Sequence, residues 1–191
     1  MYFKTVMLSM TLGIILYLTS FKMMGNKVLS LICTLVAMYM MRSFMAARVQ
    51  LPTFILFVLT IYCIEMFLKT SKRRYVMGLL LIPVIIANIH VAVFPFYFVL
   101  FLPYIADYVA GKLFKLVMKD KLQELENKKK SKRKAYDPGK YKIVVTDNEN
   151  MKMLMLTMVL AIFSGLLTPL GLAPYTYLPR TMQRSYDGVY N

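Results

Sequence analysis

Asn88 and His90 stand inside IIANIHVAVFPFYFVLFLPYIADY, a run from Ile85 to Tyr108 that is otherwise mostly apolar and aromatic. His90 is the only histidine in the chain. Polar groups carried into lipid cost free energy, so residues of this kind are functional candidates. Two readings of the pair stand side by side. Either they hydrogen-bond the carbonyls left free where a helix ends, or they line an outer-facing pocket with Arg48, Gln50 and the C-terminal tail. The chemistry open to such a pocket is anion binding. Arg48 supplies a permanent forked positive group. An imidazole donates when neutral and adds charge when protonated. The polar set expected on that side is Arg42, Arg48, Gln50, Asn88, His90, Arg180, Gln183 and Arg184. It is cationic or neutral, which suits a lipid phosphate or pyrophosphate.

Other chemistries find little support. Of the nine acidic residues, only Asp187 falls on the same side. A glycosidase-type carboxylate pair is therefore missing there, and so is an acidic cluster for a divalent cation. A lone His without Cys, Asp or Glu at ligand spacing makes a poor metal site, and no metal or cofactor is expected. No Ser or Cys adjoins His90 in sequence as a nucleophile. Cys33 and Cys63 sit in apolar runs and read as small hydrophobes. Glu65 precedes Lys69 by four residues, the spacing of a helical ion pair, and Asp107 lies about a turn before Lys112.

The elements that must position these residues are apolar. The 191 residues are 59% hydrophobic, against about 45–50% in ordinary soluble domains. The apolar residues gather into Thr5–Met24, Val28–Ala47, Leu51–Leu68, Tyr75–Gly111 and Met151–Thr168. A crossing takes about 20 residues, so four runs fit one crossing each. The 37-residue run Tyr75–Gly111 would be about 55 Å long as one helix and contains Pro83, Pro95 and Pro103. Basic residues flank it on both sides, and cytoplasmic loops carry the excess of Lys and Arg. It is therefore expected to be a helical hairpin with its turn near His90–Pro95. The reading is an all-α polytopic membrane protein of about six spans in the cell membrane, both termini outside. Residues 1–111 form a five-span region, 112–150 a cytoplasmic segment, and 151–191 the final span and an outer tail. This topology places nineteen of the 24 Lys and Arg inside.

The net charge of +15 is concentrated, with thirteen basic residues between Lys112 and Lys152. GKLFKLVMKDKLQELENKKKSKRKAYDPGKYK begins with Leu113, Phe114, Leu116, Val117, Leu122 and Leu125 near helical spacing, as in a helix lying on the inner leaflet. Lys128, Lys129, Lys130, Lys132, Arg133 and Lys134 then meet anionic head groups, each charge contributing about 1 kcal/mol. The plainer alternative is a solvated, topology-setting loop. Aromatic residues do not interleave with the charges as on a base-stacking platform, so nucleic acid is not the expected partner.

The order of these elements resembles bacterial polytopic proteins of the C-type glycosyltransferase (GT-C, mannosyltransferase-like) fold. Ala47, Arg48 and Gln50 match that family's Ala-Arg-Pro-Gln element, with Val49 in place of proline. Asn88, Ile89 and His90 match its Asn-Leu-His element. GLLTPLGLAPYTYL (Gly165–Leu178) is similar to its later Asn-Pro-x-Gly, with Thr168 in place of Asn and Pro169 and Gly171 kept. The likeness runs from Arg42 to about Leu178. It implies a sugar carried on a polyprenyl phosphate at the outer face, with Arg48, Gln50, Asn88 and His90 lining a lipid-phosphate pocket. The family's catalytic carboxylate belongs to a first outer loop that has no counterpart here, so the chain is expected to be an internal part or a reduced homologue. The alternative is a non-catalytic multi-pass subunit held to anionic lipid or to a membrane partner.

Overall fold

The computed structural model describes residues 2–42, 50–114, 116, 148 and 150–190, and among these every regular element is a helix. The order is α1 (Tyr2–Met24), α2 (Lys27–Met40), α3 (Gln50–Thr70), α4 (Arg73–Ile89), a 3-10 turn at Val91–Val93, α5 (Phe94–Val99), α6 (102–114), α7 (Asn150–Phe163), a second 3-10 turn at Ser164–Leu166, and α8 (Ala173–Tyr190).

Each reversal has a local cause. Gly25 ends α1 at φ 71°, a left-handed conformation that costs glycine nothing. Asn26 then caps α2, its side-chain oxygen accepting from the backbone N–H groups of Val28 and Leu29 at 3.0 and 3.2 Å. Between α3 and α4 the left-handed residue is Ser71, φ 55°, whose N–H returns to the Phe67 carbonyl at 2.9 Å. At His90 the backbone leaves the helical region, φ −147° and ψ 76°, and the chain turns back along α4.

That return is fastened by one contact. Pro83 lies inside α4 and has no N–H, so the Leu79 carbonyl four residues earlier lacks its helical donor. The Tyr97 hydroxyl, on α5, donates to this carbonyl at 2.6 Å and is fully buried. Tyr97 lies seven residues after His90 and Leu79 eleven before it, so the two strokes run antiparallel. Further along, Tyr104 donates to Glu65 at 3.1 Å, and Glu65 pairs with Lys69 at 3.7 Å.

The core joins α3, α4, the return stroke and α7 through Ile64, Leu79, Ile86, Phe94, Tyr97, Phe101 and Leu154. Among the described residues the buried polar side chains are hydroxyls, including Ser30, Thr34, Thr60 and Thr157. These four donate to their own helix four residues back at 2.7–2.8 Å, which satisfies them without water. The exterior is apolar instead, with Val28, Leu35, Met77, Leu81 and Leu156 exposed. Small hydroxyls inside and large hydrophobes outside is the distribution of a protein surrounded by lipid.

Among the described residues, three helices are long and apolar enough to cross a membrane: Phe3–Met24, Gln50–Thr70 and Val91–Phe114. Lys27–Met40 and Asn150–Leu166 are shorter apolar helices. At 14 and 17 residues they reach about 21 and 26 Å, less than the ~30 Å hydrocarbon core. The segment from Pro169, expected as an outer tail, contains the helix α8. Pro174 suits its first turn, and Tyr175, Leu178 and Met182 recur at helical spacing.

Candidate functional site

Gln50 opens α3, and Thr53 lies on the same face one turn later. His90, leaving the end of α4, brings its Nδ1 within 3.4 Å of the Thr53 hydroxyl oxygen. Thr53 is buried, while Gln50 and His90 are half-buried. The Gln50 side-chain oxygen is itself buried and accepts no hydrogen bond among the described residues. A carbonyl oxygen buried in this way retains full capacity for an O–H or N–H donor.

Asn88 is fastened differently. Its amide nitrogen donates to the Val84 carbonyl at 2.8 Å and to the Leu167 carbonyl at 3.3 Å. Leu167 caps the 3-10 turn that ends the α7 stroke, so this bond ties α4 to that turn and engages both amide hydrogens. Tyr175 on α8 completes the same end of the bundle. Its hydroxyl donates to the Ile162 carbonyl, and its ring stands edge-on to Phe94 at 5.7 Å. Burial raises the Tyr175 hydroxyl above its ordinary value, with a backbone bond from Gly165 opposing, so it remains a donor through neutral pH.

Gln50, Asn88 and His90, singled out in the sequence, therefore lie at one end of the bundle, joined there by Thr53, Leu167 and Tyr175. Those three carry no sequence signal of a site. Thr53 reads as one more hydroxyl in an apolar helix, and Tyr175 as part of a tail. Arg48 and the basic cluster Lys128, Lys129, Lys130, Lys132, Arg133 and Lys134 lie outside the described residues.

The opposite end is basic. Lys72, Arg73 and Arg74 are exposed, the Arg74 guanidinium stacks over Tyr75 at 4.8 Å, and Asn148 and Asn150 both donate to the Leu68 carbonyl at 3.1 and 3.3 Å. A groove of about 660 Å³ runs between α1 and α2 past Ser9, Gly13, Tyr17, Thr34 and Met38. Its walls are almost wholly apolar and it does not include Gln50 or His90. Among the described residues no three His, Cys, Asp or Glu side chains group as metal ligands.

No protein-family model, curated protein or solved structure matches the chain.

Proposed function

We propose that the chain is a six-crossing membrane protein with both termini outside, and that the Gln50–His90 end holds a lipid-linked sugar phosphate in the outer leaflet. The basic segment 112–150 then lies in the cytoplasm against anionic lipid. The observation that carries the binding reading is the pairing of two unlike groups at one mouth. The His90 imidazole offers a donor for a phosphate oxygen, while the buried Gln50 oxygen calls for a hydroxyl. A sugar phosphate presents both. Arg48, two residues before Gln50, adds the fixed positive charge. With no carboxylate among these groups, the chain binds such a lipid without the catalytic base of a GT-C glycosyltransferase.

A second reading is favoured by Asn88. Its two bonds to main-chain carbonyls are those of a helix-end fastener, as in a non-catalytic subunit whose polar residues only hold the bundle together. Binding of a polyprenyl-phosphate sugar to the purified chain separates the two. On the lipid-binding reading, His90→Ala and Gln50→Ala each weaken binding by about 1–3 kcal/mol, with unfolding temperatures near that of the wild type. Binding equal in all three proteins, together with lower unfolding temperatures for the variants, establishes the fastener.

A further inference from the structure

The apolar face of α8 changes its surroundings part-way along. Tyr175, Leu178 and Met182 share one face, and the sequence continues the spacing at Tyr186 and Val189. Thr176, Arg180 and Gln183 occupy the other, and the sequence continues that spacing at Arg184 and Asp187. The face begins on the bundle, where Tyr175 meets Phe94 and the Ile162 carbonyl. It then leaves the bundle. Leu178 is half-buried, and Met182 is 64% exposed.

We propose that this part of α8 lies in the head-group layer of the membrane, with the Met182 face turned to the acyl chains and the Arg180 face to water. Continuity identifies the occupant. The apolar α7 stroke ends at Leu166 and α8 begins at Ala173. Gly171 turns the chain between them at φ 58°. α8 therefore starts where a membrane-embedded helix surfaces, and its apolar stripe extends the apolar exterior of Val159, Leu166 and Leu170. Tyrosine and arginine around such a stripe, with low overall hydrophobicity, are the composition of an interfacial helix rather than of a spanning one. The assignment rests on the chain being embedded in lipid and not on the sugar-phosphate site, so the two fail separately.

The chain contains no tryptophan, and one placed in α8 reports alone. Met182 and Arg180 stand about 160° apart around the helix, and both are exposed. Met182→Trp and Arg180→Trp are reconstituted as full-length chains into nanodiscs of plain lipid and of lipid brominated along its acyl chains. The expected result is a blue-shifted Met182→Trp emission that loses intensity in brominated lipid, with Arg180→Trp red-shifted and little quenched. Red-shifted, unquenched emission from both overturns the proposal, because the stripe then faces water. Blue-shifted Met182→Trp emission that bromine leaves unquenched also overturns it, because protein then covers the stripe.

Discussion

Pro83 and Gly165 show how single residues set the packing. With Pro83 present, Tyr97→Phe leaves the Leu79 carbonyl buried without a donor, and the cost is about 1–3 kcal/mol. Pro83→Ala restores the missing N–H, so the double variant should recover part of the loss. A double-mutant cycle read from unfolding in detergent measures that coupling, and strictly additive losses would refute it. Gly165 has no room for a methyl group, because a Cβ there would lie 2.6 Å from the Tyr175 hydroxyl and 2.9 Å from Phe94. Gly165→Ala therefore costs about 1–3 kcal/mol through overpacking. At Gly13 the nearest atom to an added Cβ is 3.6 Å away, on Met38, and Gly13→Ala should be neutral or stabilising by up to about 1 kcal/mol. Equal losses at both glycines would contradict this account. Polarity in an apolar run drew attention to Asn88 and His90. Nothing in the run marks Tyr97, because its partner is a main-chain carbonyl exposed by a proline fourteen residues earlier.

Helix ends are closed by side chains from neighbouring helices. Asn148 and Asn150 donate to Leu68 at the end of α3, Asn88 donates to Leu167, and Tyr175 donates to Ile162 at the end of α7. Away from bulk water each carbonyl left open is costly. Asn148 also accepts from the Asn150 N–H at 3.0 Å as α7 starts. Asn148→Ala thus removes a cap and a tie together and should lower stability by about 1–2 kcal/mol. Hydrogen exchange should report it first in α7 and the last turn of α3. Uniform loosening of the whole bundle would instead indicate a global role. The helices themselves were legible from long apolar runs. Their lengths were less so, because hydropathy records composition and not the backbone geometry that ends a helix. α8 was overlooked because its mean hydropathy is low, although the spacing of Tyr175, Leu178 and Met182 was present to be read.

At the scale of the molecule, the described residues present an apolar exterior suited to lipid, with Lys72, Arg73 and Arg74 exposed at one end. Topology is testable in a background without Cys33 and Cys63. Gln183→Cys should react with an impermeant thiol reagent from outside the cell and Ser131→Cys should not. The reverse pattern would invert the molecule. The count of crossings is where sequence and structure differ most in resolution. Composition suggests six, and among the described residues three helices meet the length on their own. α2, α4 and α7 are short, and their place in the bundle depends on what they pack against.

The hydroxyl that Tyr97 supplies to α4 has a consequence for how the chain is made. α4 emerges from the ribosome with Arg73 and Arg74 at its start, Pro83 in its middle and 17 residues in all. Its Leu79 carbonyl has no donor until Tyr97 has also been synthesised. α4 alone is therefore a poor substrate for release into lipid, and the stroke from Val91 to Phe114, long and apolar by itself, must arrive before the pair partitions sideways from the translocation machinery. Nascent chains stopped just after Val91 should leave α4 extractable by alkali, whereas chains extended past Phe114 should integrate both strokes at once. On the six-crossing reading, insertion of this part of the protein would then proceed in one paired step, timed by the synthesis of the second helix.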